Sequence, residues 1–548
     1  MESWLEKVVV VDDDDRCGGN PPKRSRTTTN NKKPIFKKDL IQVDGFADVQ
    51  VCLQTYPTHL VSVENTYRLP IKCMESTTFE KLKALLMTEP KRVLRNHQLV
   101  HKPWSMYVLY DDCIYIPRGI GMQLFQLHAS PPKRHVKVEP CVNFPTPTRP
   151  LLDADAAAAM YKTDQVTAVD HLVDHLHTMV DKYGFGTAAF CLPTGHGKTA
   201  CAIHVLQRLG KRTLFVVPSM DPCYEQFKDE VRGFLGESVT VGSMHTSTKS
   251  QWKDHDTADC VVTTMDSLRQ CNYNLEGFGL TIVDEAHEAC TRARSKLFLK
   301  VPSTYVVALT ATPERHSDYC GAYIEWLCGP VVMYKAIDVK GNRWGGLEVR
   351  LVSLKGHYQA FVEPKNKRSG DVNDAKLLNE VMMCRERNRA VMEYIHKQLV
   401  IDEDRHVVCL SPRTWHIEVM TSLLEHAGTS TGMLVGERMD GSSMTPEERK
   451  EAKTKRVLVA NVTMGSRALN VPRLDTLCYI TGGCWNNETF WTQAIGRILR
   501  DKENKNQPVV VLFVDETNNG YLSRQVDRAV ATLKRIGGDG TRVMTSEW

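Results

Sequence analysis

The chain has 548 residues, 42% of them hydrophobic and 25% charged, which excludes a wholly disordered protein and allows about three domains. Its formal net charge of +5 is too small to require a nucleic-acid partner and does not exclude one. The 17 cysteines include no Cys-x-x-Cys pair, and no apolar run reaches the roughly 18 residues of a membrane span. We therefore expect an intracellular protein with reduced thiols, no cysteine zinc site and no membrane partner.

Residues 1–40 are predicted to form a disordered tail, because an acidic run is followed by Gly, Pro, Thr and basic residues. The tail does not resemble a signal peptide. Its basic cluster Lys23–Arg26 is typical of a nuclear address and equally of a solvated tail, so nucleus and cytoplasm both stay open.

Residues 41–130 are predicted to form a small accessory α+β domain, with a helix near residues 79–86. Its short β-like runs are Val49–Leu53, Leu60–Val63, Met106–Tyr110 and Cys113–Ile116. Tyr115 and Arg118 stand beside Gly119, a combination suited to stacking on bases or holding phosphate. We therefore hypothesise that this domain binds nucleic acid; the alternative is a strand end packed against the core. The basic, Pro-rich stretch 131–150 is predicted to be a linker.

Apolar strands alternate with helical patterns twice in the rest of the chain. This alternation predicts an α/β fold with two tandem parallel-sheet domains, at residues 151–340 and 341–548. The small α+β domain precedes them.

The first of these domains contains LPTGHGKT, residues 192–199, between an apolar strand at 187–192 and a helical pattern at 200–206. Gly195 and Gly197 permit the backbone angles that turn N–H groups toward phosphate oxygens at a helix N-terminus. Lys198 would add a charge on the phosphates, and Thr199 would ligate Mg²⁺. A plain strand-to-helix turn is the alternative. The other loop residues expected to contact the nucleotide are Pro193, Thr194 and His196.

An acidic pair follows the apolar strand Leu280–Val283 of the same domain. Ligands of open α/β sheets bind at the carboxyl ends of strands, so Asp284 is expected to hold Mg²⁺ and Glu285 to polarise the attacking water. The motif Thr310–Pro313 closes another strand. We expect His287, Thr310 and Thr312 to relay the state of the nucleotide. A simple Thr/Pro turn is the alternative for the motif Thr310–Pro313.

The second domain contains a basic helical segment in which Gln493, Arg497 and Arg500 lie at i, i+4 and i+7, on one helix face. Guanidinium groups delivered by a second domain commonly stabilise charge on a transferring phosphoryl group. These residues are therefore candidate catalytic groups, and a solvated basic face is the alternative.

In this order, GHGKT, DEAH, TAT and QAIGRILR resemble motifs I, II, III and VI of superfamily 2 DEAH-type helicases, over roughly residues 155–515. Within that superfamily the chain is most similar to UvsW-type and poxvirus transcript-release-type helicases of phages and large DNA viruses. The resemblance implies two RecA-like lobes that bind ATP and Mg²⁺, with Gln165 against the adenine. It also implies nucleic-acid contacts by Pro218, Ser219, Thr263, Thr264 and Asn461.

Two residues depart from the family pattern in the motif that contains Asn461. Ala468 stands where the family commonly has Gly, and Asn470 stands where it commonly has Asp. The coupling of ATP to nucleic acid is therefore expected to be tuned differently.

Together these motifs predict an ATP-driven helicase or translocase, with DNA preferred over RNA on the resemblance. An ATP-switched nucleic-acid-binding remodeller or annealing factor, which does not separate strands, is the alternative.

Overall fold

The structure is a computed structural model. It describes residues 35–36, 46–88, 104–135, 139–159, 164–192, 196–220, 223–245, 252–270, 273–291, 293–311, 321–333, 347–366, 370–467, 471–482, 488–499, 506–538 and 540–548. The chain divides into two compact units, of which the first comprises Met1–Asp155 and Thr163–Lys335 and the second Ala156–Lys162 and Ala336–Trp548. Among the described helices, none combines the length and apolar character that a bilayer span requires.

The amino-terminal part of the first unit consists of short elements. In chain order they are β1 (Ile35–Phe36), α1 (Phe46–Leu53), β2 (Ser62–Val63), β3 (Tyr67–Pro70), α2 (Ser76–Leu85), β4 (Met87–Thr88), β5 (Trp104–Ser105), β6 (Val108–Tyr110), β7 (Cys113–Ile116) and α3 (Arg118–Phe125). Four of the strands form an antiparallel sheet in the order β2–β3–β7–β6. The predicted strand at 113–116 is confirmed.

The predicted strand at Val49–Leu53 is wrong, because this stretch belongs to helix α1. The apolar residues look alternating over so short a run, yet the buried positions are Val49, Gln50 and Leu53. Burial at i, i+1 and i+4 follows the helical period, which a run of five residues does not distinguish from a strand.

The rest of the first unit alternates helices with strands. Helix α4 (Ala154–Ala159) begins in the range of the first unit and ends in that of the second. The other elements are α5 (Gln165–Tyr183), β8 (Gly186–Cys191), α6 (Lys198–Leu209), β9 (Thr213–Val217), α7 (Cys223–Leu235), β10 (Val241–Ser243), β11 (Cys260–Thr264), α8 (Met265–Gln270), β12 (Leu280–Val283), β13 (Tyr305–Thr310), α9 (Gly321–Cys328) and β14 (Val331–Met333). The sheet order is β1–β14–β8–β13–β12–β9–β11–β10. All pairs are parallel except β1 with β14.

The amino-terminal part shares a hydrophobic core with this sheet domain. Tyr67 of β3 is fully buried, and its ring stacks on Phe125 with the ring centroids 5.8 Å apart. The same ring meets Phe185, next to β8, edge-on at 6.2 Å. A side chain of the small sheet thus packs directly on the large one.

Arg118 also belongs to this shared core. Its guanidinium is buried, donates to the carbonyl oxygens of Glu64 and Ser303 at 2.9 and 2.6 Å, and lies over the Phe185 ring. The hypothesis that Arg118 holds phosphate is therefore wrong, and the alternative of a strand end packed on the core is correct. Gly119 permits this packing, since a Cβ there would lie 2.4 Å from the Glu325 carbonyl oxygen of helix α9.

The stretch predicted to be a linker, 131–150, contacts the sheet domain along its described length. The backbone N–H of Arg134 donates to the Tyr183 carbonyl, and the buried Arg134 side chain donates to Thr304. Further along, the N–H of Thr148 donates to the Phe234 carbonyl. These contacts fix the segment against the domain.

The second unit is a second α/β sandwich. Its elements are β15 (Glu348–Ser353), α10 (Asp374–Met383), α11 (Arg385–Tyr394), β16 (Val407–Ser411), α12 (Thr414–His426), β17 (Thr431–Leu434), α13 (Pro446–Ala452), β18 (Val457–Asn461), α14 (Val462–Arg467), β19 (Thr476–Tyr479), α15 (Glu488–Ile498), β20 (Val509–Val514), α16 (Tyr521–Gly537) and β21 (Arg542–Glu547). The strands are all parallel, in the order β17–β18–β16–β19–β20–β15–β21. The predicted fold class, two tandem parallel-sheet domains after a small α+β part, is confirmed.

A buried polar network ties the carboxyl end of this second sheet to helix α11. Arg387 and Asp515 are both fully buried and form a bidentate pair, with N–O distances of 2.6 and 2.9 Å. Beside them the buried His416 ring shares hydrogen bonds with Ser411 at 3.0 Å and Asn388 at 3.2 Å. Burial, with the neighbouring Arg387 charge, lowers the pKa of His416 to about 3.

This histidine should make the second unit sensitive to acid. An unfolded histidine has a pKa of about 6.5, so below that pH the unfolded chain binds a proton that the folded protein excludes. Down to about pH 3, each pH unit should lower the free energy of unfolding by about 1.4 kcal/mol. Denaturant unfolding between pH 8 and pH 4.5 should show a shallower pH dependence in His416→Gln than in the wild-type protein. The exposed His426→Gln is the control, and equal slopes in all three proteins would contradict the prediction.

Candidate active site

Strands β8, β13, β12, β9 and β11 end at one edge of the first sheet and bring the predicted motifs there. Main-chain pairing places Thr310 directly opposite Cys191, the last residue of β8. Strand β13 separates β8 from β12. Neighbouring strands lie about 4.8 Å apart, so the acidic motif after β12 follows a strand about 10 Å from β8. The predicted nucleotide and nucleic-acid motifs of this unit therefore share one edge.

The phosphate loop begins helix α6 in the expected way. Gly197 precedes the helix with φ of 78°, a left-handed conformation that favours glycine. Lys198 and Thr199 form the first turn and are half-buried. The predicted contacts Pro193, Thr194 and Gly195 lie outside the described residues.

Gln165, the first residue of helix α5, contacts this loop. Its side chain is buried, and Nε2 donates to the His196 carbonyl oxygen at 2.9 Å. Its Oε1 accepts from the backbone N–H of Leu152 at 3.0 Å. A Cβ at Gly197 would lie 2.4 Å from Gln165 Nε2, so a larger residue here would displace the Gln165 amide from this hydrogen bond. Gln165 and the His196 backbone are thus parts of one site, and Leu152 is a member that the sequence did not indicate.

The acidic pair, Asp284 and Glu285, follows β12 at the same edge of the sheet. The N–H of Asp284 donates to the Val216 carbonyl at 2.8 Å, and Asp284 Oδ1 accepts from the N–H of Glu285 at 2.9 Å. Glu285 has φ of 46°, which is uncommon for a residue with a side chain and turns the chain sharply at this point. Burial, reinforced by the Asp284 carboxylate, raises the pKa of the Cys223 thiol to about 12. A neutral thiol, not predicted from the sequence, therefore lies near the pair.

Two of the three predicted coupling residues meet behind the acidic pair. The ring of His287 is buried, and its Nδ1 lies 3.1 Å from the Thr310 hydroxyl and 3.4 Å from Glu285 Oε2. Thr310 is fully buried. The acidic motif and the end of β13 are thus joined through one imidazole, whereas Thr312 lies outside the described residues.

The predicted nucleic-acid residues of the first unit differ in accessibility. Pro218 is half-buried and Ser219 is exposed after β9, and Thr264 accepts from the N–H of Ser267 at 3.0 Å at the start of α8. Thr263, in contrast, is fully buried within β11. A contact through the Thr263 side chain is therefore wrong, because other residues of the protein cover that side chain completely.

The remaining predicted residues belong to the second unit. Asn461 ends strand β18 and is half-buried. Helix α15 contains a buried Gln493 and, in its last turn, a half-buried Arg497. Arg500 lies outside the described residues.

The donor set suits a magnesium nucleotide. Thr199 and Asp284 offer a hydroxyl and a carboxylate, the hard oxygen ligands that Mg²⁺ takes together with phosphate oxygens and water. Among the described residues there is no group of three or more His, Cys, Asp or Glu side chains that could hold a metal ion. A site with few protein ligands is the ordinary arrangement for Mg²⁺ bound with a nucleotide.

Residues 160–315, which include the phosphate loop and the acidic motif, match the family described as type III restriction enzyme, res subunit. The chain is 30% identical over 387 residues to the putative ATP-dependent RNA helicase QP509L of African swine fever virus (isolate Pig/Kenya/KEN-50/1950), covering 65% of this chain and 72% of that protein. It is 25% identical over 349 residues to the putative ATP-dependent RNA helicase L396 of Acanthamoeba polyphaga mimivirus, covering 63% of each.

An archaeal protein is similar as well. The DNA 3'-5' translocase XPB2 of Sulfurisphaera tokodaii is 25% identical over 371 residues, covering 61% of this chain and 79% of that protein. The chain spans 63% of the length of the mimivirus relative.

Proposed function

Because the chain belongs to the superfamily 2 helicases of the type found in phages and large DNA viruses, we propose that it is an ATP-dependent DNA helicase or translocase. One observation carries the proposal: the phosphate loop, Asp284, Glu285 and Thr310 share an edge with strand ends suited to contact a nucleic-acid backbone. Translocation requires that nucleotide binding at one of these sites change the state of the other.

At the nucleotide, Lys198 and the N–H groups at the start of α6 bind the phosphates. Thr199 and Asp284 hold Mg²⁺, which neutralises charge on the phosphate oxygens. Glu285 orients the attacking water and accepts its proton. Gln493, Arg497 and Arg500 are proposed to act on the same nucleotide, the two arginines by stabilising charge on the transferred phosphoryl group.

Coupling is proposed to pass through His287. Its ring contacts both Glu285 and Thr310, so a shift of the β13 end changes the position of the proton acceptor. Gln165 is proposed to contact the adenine. Its hydrogen bond to the His196 carbonyl connects adenine recognition with the phosphate loop.

DNA is the proposed substrate, in line with the archaeal relative that is named a DNA translocase. RNA is the competing substrate, since the viral relatives are named putative RNA helicases. The alternative function is an ATP-switched remodeller or annealing factor, which would bind nucleic acid without separating strands.

The test compares ATP hydrolysis with single-stranded DNA, duplex DNA, branched DNA and RNA in parallel. We expect the best DNA to stimulate hydrolysis about fivefold more than RNA of the same sequence. Affinity should fall as salt increases, because phosphate contacts dominate binding. Lys198→Ala is the control that removes nucleotide-dependent activity.

Equal stimulation by RNA would contradict the DNA preference, and no stimulation by any nucleic acid would contradict the function. A strand-displacement assay with and without ATP separates a helicase from the annealing alternative.

A further inference from the structure

One arginine joins the segment after the acidic motif to the helix after β11. Arg294 Nε and Nη2 donate to the two carboxylate oxygens of Asp266, in α8, at 3.1 and 2.6 Å. Its Nη1 donates to Glu288 Oε2 at 3.2 Å. Glu288 ends the 3-10 turn Ala286–Glu288 that contains His287. A single guanidinium thus spans two elements that the sheet itself does not connect.

The geometry makes this a firm connection. The side chains of Arg294, Asp266 and Glu288 are 23%, 44% and 7% exposed, so water screens the contact with Glu288 less than the contact with Asp266. Hydrogen bonding to Arg294 holds the pKa of the Asp266 carboxyl below its ordinary value. A bidentate arginine–carboxylate pair fixes both distance and angle, which a single contact does not. Displacement of α8 would therefore be passed to the turn, with little absorbed by side-chain rotation.

The two ends of this connection lie close in sequence to the two proposed sites of this sheet edge, the nucleic-acid contact and the nucleotide site. Asp266 is two residues after Thr264, the proposed nucleic-acid contact that caps α8. Glu288 is three residues after Glu285, the proposed proton acceptor. We propose that Arg294 is a positioning residue that transmits nucleic-acid binding at the β11–α8 edge to Glu285. This inference rests on the proposed function.

The decisive variant is Arg294→Gln, studied with single-stranded DNA and single-stranded RNA oligonucleotides of the same sequence. We expect maximal stimulated turnover to fall about tenfold, the scale of an ordinary coupling between sites. Hydrolysis without nucleic acid and the Kd for the oligonucleotides should stay within about twofold of wild type, because neither site loses a contact. Asp266→Asn should reproduce the defect. Arg294→Lys should restore part of the stimulation, since lysine keeps the charge but not the bidentate geometry.

Arg350→Gln is the matched control. Arg350 of the second unit also joins two carboxylates, with contacts of 2.6 Å to Glu348 and 2.5 Å to Glu403, and its side chain is 16% exposed. Its loss should affect stability without affecting stimulation, and thermal unfolding of every variant monitors folding.

Three results would overturn the inference. Normal stimulation in Arg294→Gln would show that the connection is not used. A parallel loss of basal and stimulated turnover would assign Arg294 a structural role only. Absence of stimulation in the wild-type protein would overturn the proposed function, and this inference with it, so the two failures are distinguishable.

Discussion

Replacing Arg497 by alanine is expected to abolish nucleic-acid-stimulated ATP hydrolysis while ATP still binds. The residues proposed to bind the magnesium nucleotide, Lys198, Thr199, Asp284 and Glu285, belong to the first unit, whereas Arg497 belongs to the second. An arginine delivered to a transferring phosphoryl group contributes on the order of 10³ in rate, far more than an exposed surface charge. Nucleic acid is expected to favour the state in which Arg497 acts on the nucleotide, so the loss should appear in the stimulated rate.

Titration with a fluorescent nucleotide and stimulated hydrolysis are measured on the same preparation. Arg528→Ala, an exposed arginine of helix α16, is the control for charge removal in the same unit. Near-normal stimulated hydrolysis in Arg497→Ala would refute the mechanism with two lobes. Loss of nucleotide binding would show instead that Arg497 supports the fold.

Glu285→Gln is expected to lower hydrolysis by about 10²- to 10⁴-fold, with and without nucleic acid. The amide keeps the volume of the carboxylate and one of its two acceptor oxygens, but it cannot accept the proton of the attacking water. Nucleotide affinity should be retained, because the proposed magnesium ligands, Asp284 and Thr199, are unchanged in this variant. In Arg497→Ala, by contrast, the rate of hydrolysis without nucleic acid should fall less than the stimulated rate.

Single-turnover hydrolysis separates chemistry from product release in this variant. Glu276→Gln, an exposed carboxylate ahead of β12, is the matched control and should behave like the wild-type protein. A Glu285→Gln protein that keeps half of its turnover would show that another group accepts the proton.

The sequence predicted the chemistry of the first unit better than its spatial arrangement. Strand β12 occupies residues 280–283, as predicted, because a short apolar run followed by two carboxylates has few other interpretations. The order of the strands in the sheet is a long-range property that no local pattern contains. The contact between His287 and Thr310 follows from that order, since β13 lies beside β12.

The wrong and missed predictions have the same cause, because they depend on contacts that no local sequence pattern contains. Arg118 is buried because it meets Ser303, which lies 185 residues further along the chain. Thr263 and Thr264 are adjacent and chemically identical in sequence, yet only the first is fully buried, because Thr264 is the last residue of β11 and caps helix α8. Arg294 belongs to no motif, and its partner Asp266 is 28 residues away.

The core shared by the amino-terminal segment and the first sheet has a consequence for synthesis. Tyr67 and Phe125 leave the ribosome before Phe185, and the carbonyl that accepts from Arg118 follows that arginine by 185 residues. At ordinary elongation rates this delay is roughly 10 to 40 seconds. During that interval the segment exposes the apolar surface that its finished fold buries, so it completes folding only when most of the first unit has been translated.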